Sequence, residues 1–230
     1  MNLSDTLKIR PGVTAVIGSG GKTTLLRVLA DELPGTVILT TSTHILPFDG
    51  IPLLTSPTRE ELRAALAMHR VVCIGTPAAE GKLTAPALPF SVLQTLADYV
   101  LVEADGSKRL PLKAHAPLEP VIPENARQTI CVVGASGFGK PICDAVHRPE
   151  RFCARTGTRM SDAVTPALAA QGILAERLAD TVLLNQIDCI SPEDARTFAD
   201  LLQKNGVKAV CASLNGKFPR KNYALLIPHS

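Results

Sequence analysis

The segment Gly18-Ser19-Gly20-Gly21-Lys22-Thr23-Thr24 narrows most sharply what this chain can become. An apolar run, Val13–Ile17, leads into it, and a helical pattern from Thr23 to Leu33 leads out. Strand, glycine turn and helix in that order make a phosphate loop. Its glycines let backbone N–H groups converge on phosphate oxygens, and the helix N-terminus adds positive potential. Lys22 is placed to reach the β- and γ-phosphates, and the Thr23 hydroxyl to ligate Mg²⁺. Gly18, Ser19, Gly20, Gly21, Lys22, Thr23 and Thr24 are therefore the expected phosphate contacts. The full GxxxxGK[ST] spacing is not met, since Val16 stands where its first glycine would be. A plain glycine turn between strand and helix would not require the Lys-Thr-Thr triplet.

The rest of the chain repeats this alternation. Val13–Ile17, Thr36–Thr41, Val71–Ile74, Tyr99–Val102, Thr129–Val133, Thr181–Leu184 and Val207–Cys211 read as strands. They are nearly continuous apolar runs, the signature of parallel strands buried on both faces. Thr23–Leu33, Arg59–His69, Leu88–Ala97, Ser161–Ala170 and Pro192–Asn205 carry helical patterning. Ser191-Pro192-Glu193-Asp194 is a strong helix start, and Gly206 a strong stop. The expectation is an α/β fold: a doubly wound, mostly parallel sheet of P-loop NTPase type. A length of 230 residues suits one domain over 1–230, with room for a smaller lobe from about residue 140. Ten of the 18 prolines lie between His44 and Pro123, marking that middle as irregular. Its longest piece, Gly106–Gln128, is a Pro-rich loop longer than compact domains ordinarily carry without a function.

Composition excludes several function classes. Lys+Arg 24 against Asp+Glu 21 leaves a net charge of +3, too little for a nucleic-acid-binding face. Phe 6, Tyr 2 and Trp 0 give no base-stacking platform. No apolar run is long enough to span a membrane, and the N-terminus lacks a signal-peptide core, so a cytoplasmic location is expected. The six cysteines are scattered without a CxxC pair, which argues against a disulfide framework and gives little support to a zinc site.

Further candidates stand at strand ends. Glu103 and Asp105 follow the run Tyr99–Val102, where open α/β sheets bind ligands, and could hold Mg²⁺ or orient a water. With Lys22 they form the expected catalytic set; the alternative is a pair of solvated acids. Thr40-Thr41-Ser42-Thr43-His44 could contact substrate or the γ-phosphate through Thr41, Thr43 and His44, or could simply cap a strand. Asn185-Gln186-Ile187-Asp188 resembles the N-K-x-D segment that reads guanine, with Asn185 and Asp188 facing the base and Gln186 in place of lysine. Gly134–Lys140 fits GxxxxGK, but Pro141 follows and supplies no hydroxyl, which favours a surface turn.

GSGGKTT, TTSTH, VEADGSKRLPLKAHAPLEPVIP, HRPERF and NQID together resemble the YqeC family, accessory proteins of selenium-dependent molybdenum hydroxylases. The loop itself looks like the shortened GxxGK[ST]T form of the Mur-ligase type. The resemblance implies an Mg²⁺-dependent protein using ATP or GTP in maturing a selenium- and molybdenum-containing cofactor, with a hydroxylase or other maturation proteins as partners. It implies that Ser107, Lys108, Arg109 and Lys113 form a wall for an anionic substrate such as a molybdopterin-type cofactor, unless they merely solvate the loop. His147-Arg148-Pro149 would lend an arginine to phosphate, or be a turn. Two competing functions remain open: a non-catalytic carrier of a nucleotide-bearing molybdopterin, and a partner-dependent GTPase.

Overall fold

The computed structural model describes residues 2–214 and 225–226. It shows an α/β fold built on mostly parallel strands. The chain forms two compact units: residues 1–16, 26–106 and 121–129 make one, and 17–25, 107–120 and 130–230 the other. The strands Gly12–Gly18 and Ala126–Gly134 each contribute residues to both.

In the first unit, Tyr99–Glu103 lies between the strand beginning at Gly12 and Val37–Thr41, parallel to both. Val71–Pro77 follows on the far side of Val37–Thr41, also parallel. Burial on both faces explains the unbroken apolar sequence of these strands. Val13, Ile38, Val72, Val100 and Val102 pack with Leu62, Leu66 and Leu93 from crossover helices. The helix Arg59–Met68 starts at a capping box, in which Thr58 accepts from the Glu61 amide and the Glu61 side chain returns to the Thr58 N–H.

In the second unit, Thr181–Asn185 runs parallel to Ala126–Gly134 and to Lys208–Ala212. Leu225–Leu226 closes that edge antiparallel. The helix Pro192–Lys204 opens where Ser191 accepts from the Asp194 amide, 3.1 Å away. Its buried Phe198 meets Phe138 with ring centroids 6.0 Å apart.

Two helices differ from the sequence reading. Leu88–Ala97 is helical only over Phe90–Leu93. The helix expected at Ser161–Ala170 runs instead over Pro166–Glu176, because Thr165 caps it and Pro166 occupies its first turn. Residues 159–162 form a turn closed by the Asp162 carboxylate on the Arg159 N–H. The Pro-rich stretch is tied down as well. Leu112–Lys113 pairs in parallel with Val146–His147, and Val121 N–H donates to Ala104 O at 2.9 Å. Among the described residues no helix is long and apolar enough to cross a membrane.

Candidate functional site: a braced phosphate loop and a basic strap

The phosphate loop leaves its strand with Gly18 at φ +88°, then Gly20 at +86° and Gly21 at +131°, all outside the range side chains favour. Lys22 opens the helix Lys22–Glu32 and is buried, its Nζ donating to Gly18 O at 2.8 Å. The ammonium is thus curled back onto the loop. Thr23 is exposed and Thr24 half-buried at the start of that helix.

Distant segments brace the loop from within the same unit. Ser19 N–H donates to Val132 O at 2.8 Å, and its hydroxyl donates to Leu110 O. Asn185 Nδ2 donates to Gly20 O at 2.8 Å. Gly134 N–H donates to Pro111 O at 2.8 Å, and a Cβ on Gly20 would lie 2.4 Å from Gly134 N. The second glycine segment therefore packs beneath the first loop. Its own end turns away: Val164 N–H donates to Lys140 O, and Lys140 is exposed.

The base-reading candidates are held as a set. Asn185 Oδ1 accepts from Gln186 N–H and from Leu214 N–H, each at 2.8 Å. The Ser213 hydroxyl donates to Asp188 Oδ1 and accepts from the Asp188 N–H at 3.0 Å. Gln186 turns elsewhere, its Oε1 accepting from the Ser136 hydroxyl at 2.7 Å. Ser213 and Leu214 were not singled out by the sequence; their one signal is that they follow the apolar strand ending at Ala212.

In the first unit Thr41 and Glu103 sit at the ends of two neighbouring inner strands. Thr41 is the register partner of Glu103, and its hydroxyl donates to Glu103 O at 2.8 Å. That hydroxyl also accepts from Thr43 N–H at 3.0 Å. Glu103 is 8% exposed and Asp105 fully buried. His44 is exposed and pairs with Thr84.

The basic strap divides its cations. Ser107 is half-buried, whereas Lys108 and Arg109 are exposed. The Lys113 side chain is wholly buried and its Nζ lies 2.7 Å from Glu119 Oε2. Arg148 clasps the same carboxylate with two hydrogen bonds of 2.7 Å. Hydrogen bonds and charge from Arg148 and Lys113 hold the Glu119 carboxyl down at about 2. His115 is also buried, its Nδ1 2.6 Å from Glu176 Oε2, with Arg155 on the other oxygen of that carboxylate.

Glu119 makes acid stability a test of this cluster. Its folded pKa lies below the ordinary value of 4.5, so its contribution is present above that value and is lost as pH falls towards about 2. Glu119→Gln should lower the melting temperature at neutral pH and flatten its decline between pH 4.5 and 2, as followed by thermal melts across that window.

Among the described residues no group of three or more His, Cys, Asp or Glu could hold a metal ion. Cys73 and Cys211 are buried, which pushes their thiols up to about 11 and keeps them protonated. A magnesium ion bound through one hydroxyl and phosphate oxygens would need no such cluster.

The YqeC protein family model matches residues 14–150, more than half of the chain. The chain belongs to the YqeC family. It is 35% identical over 158 residues to the uncharacterized protein YqeC of Escherichia coli K12, covering 64% of this chain and 62% of that protein. Among solved structures, the signal recognition particle 54 kDa protein of Aeropyrum pernix K1 in complex with GDP aligns with a TM-score of 0.44 and 12% identity. That alignment covers 96% of this chain and 45% of the other. The chain thus spans less than two thirds of the length of either protein. The family match takes in the phosphate loop and the basic strap, and ends before Asn185 and Asp188.

Proposed function

We propose that this YqeC-family protein binds a magnesium–nucleoside triphosphate on Gly18–Thr24. We place its use of that nucleotide in maturing a selenium- or molybdenum-containing cofactor for molybdenum hydroxylases. One observation carries the nucleotide reading: a buried lysine ammonium folded back over a loop opened by three glycines. A glycine-rich turn at a helix N-terminus with an adjacent cation suits phosphate by its chemistry, and this loop joins three glycines to Lys22 at the start of the helix Lys22–Glu32. On binding, Lys22 would exchange its bond to Gly18 O for β- and γ-phosphate oxygens, and the Thr23 hydroxyl would hold the metal. Magnesium supplies neutralisation of charge on the phosphate oxygens. The reaction class is phosphoryl or nucleotidyl transfer, or hydrolysis coupled to a conformational change. The cofactor assignment rests on the family resemblance, with a molybdopterin-type anion as substrate.

Titration with Mg·ATP and Mg·GTP tests the reading. Saturable binding with turnover supports it, and no binding at millimolar concentration overturns it. Binding without turnover, even with apo-hydroxylase present, selects a carrier instead. The hold of Ser213 on Asp188 favours a second reading, a partner-dependent GTPase. It predicts GTP preferred over ATP, with Asp188→Asn losing that preference roughly tenfold or more. Equal affinity for both nucleotides in the wild type would sink it.

A further inference from the structure

The helix Pro166–Glu176 is apolar on both sides yet covered on only one. Ala169, Ala170 and Gly172 are buried, and a Cβ on Gly172 would lie 2.5 Å from the Phe152 ring. Glu176 turns inward as well, accepting the His115 N–H at 2.7 Å. The opposite side carries Ala167, Gln171, Leu174 and Ala175, all exposed or half-buried. Of the helices of ten or more residues among the described residues, this one alone shows no exposed charge. A helix apolar all round is ordinarily covered all round.

The helix Pro192–Lys204 lies beside it and runs the same way. Thr165 and Pro166 share a hollow with Ser191 and Asp194, at the two N-termini. Leu174 and Leu178 share another, of about 800 Å³, with Leu201 and Asn205 at the two C-terminal ends. The two ends differ in sign. The charged residues lining the first are Asp188 and Asp194, and those lining the second are Arg155 and Arg177. Each of the two acids is bonded to a serine hydroxyl, which leaves its charge in place. Arg155 is anchored on Glu176, whereas Arg177 is exposed just past the helix end. An apolar seam that is acidic at one end and basic at the other is complementary to itself turned end for end.

We propose that this face is the interface of a two-fold dimer, with the helix Pro166–Glu176 of one copy packed antiparallel on that of a second. The inference is independent of the nucleotide reading. Gln171 stands at the midpoint of the helix and falls on the axis, where each amide both donates to and accepts from the other. A single polar residue within an apolar seam fixes its register. Ala167 of each copy faces Ala175 of the other, and these small side chains let the helices approach closely. The arginine end of each copy then meets the acidic end of the other, twice over by symmetry. A parallel pairing would instead set Arg177 against Arg177 and Asp194 against Asp194. Charge therefore selects both the occupant, a second copy of this chain, and its direction.

Sedimentation equilibrium on the full chain, from about 1 to 100 μM, tests the interface. The wild type should dimerise within that range. Leu174→Glu places a charge in the seam of both copies and should weaken the dimer about 100-fold or more. Arg177→Glu should weaken it about tenfold, with the loss fading as salt is added. Met68→Glu, at an apolar residue of the first unit that is 79% exposed, should change nothing. A cross-link supplies the second measurement. In a chain whose unburied Cys143, Cys153 and Cys189 are replaced by serine, Gln171→Cys should give a disulfide-linked dimer on mild oxidation. A wild type still monomeric at the highest concentration overturns the interface. So does a dimer that forms no cross-link through Gln171→Cys, whether or not Leu174→Glu folds.

Discussion

Lys22→Ala is expected to weaken Mg·nucleotide binding by about tenfold to 100-fold and to lower turnover by roughly 100-fold to 1,000-fold. The binding loss follows from charge-assisted hydrogen bonds worth about 1.5–3 kcal/mol each. The larger loss in turnover follows because charge on the transferred group is met by a preorganised cation in the transition state. The fold should survive the change. Lys22 is only 4% exposed, so its removal takes a charge out of a desolvated place and leaves Gly18 O without one donor. These effects oppose each other, and the melting temperature should move by only a few degrees. Thr23→Ala offers an independent handle, because Thr23 is exposed at the start of the helix. It should raise the magnesium concentration needed for half-maximal binding without abolishing nucleotide affinity. Isothermal titration at several magnesium concentrations separates the two variants. Turnover unaltered in Lys22→Ala would remove the phosphate loop from catalysis.

The division between what the sequence discloses and what it hides follows the range of the interactions concerned. Parallel strands covered on both faces must be apolar throughout, so the seven long strands among the described residues are legible and each lies within a few residues of its expected place. Strands of two residues, such as Leu112–Lys113 and Val146–His147, carry no period at all and are visible only once paired. The helix at Pro166–Glu176 is displaced from its expected start because its apolar pattern continues smoothly across Thr165, where the cap lies. At the site, the phosphate loop is contiguous and therefore readable. Its braces are not. Asn185 reaches Gly20 across 165 residues, Ser19 reaches Leu110 across 91, and Ser213 reaches Asp188 across 25.

Lys113 shows the same limit from another side. In sequence it belongs with Lys108 and Arg109 as one basic run. In the structure its side chain is buried against Glu119, while the other two face solvent. Pleating explains the split. Lys113 lies in a paired strand and inherits that strand's direction, whereas Lys108 and Arg109 lie in left-handed turns before it. Asn185 likewise spends its amide on Gly20, Gln186 and Leu214, so its most direct role is to shape the loop that Lys22 closes.

Gly20→Ala should be among the most damaging conservative changes in the site. A methyl group there would meet Gly134 N at 2.4 Å, Gly134 Cα at 2.5 Å and Pro111 O at 2.9 Å. All three are backbone atoms, so no side-chain rotation relieves the clash. The residue also sits at φ +86°, which adds roughly 1–2 kcal/mol of backbone strain for alanine. Overpacking contributes about 1–3 kcal/mol more, giving a loss of about 2–5 kcal/mol. For a chain of this size the melting temperature should fall by roughly 10 °C. Gly139→Ala supplies the control: its φ is +79°, yet a Cβ there would meet nothing within 4 Å. That variant bears the backbone strain alone, so the difference between the two melting temperatures isolates the packing of Gly20 on Gly134. Equal stability of the two variants would mean that the junction of the phosphate loop, the second glycine segment and the basic strap is open.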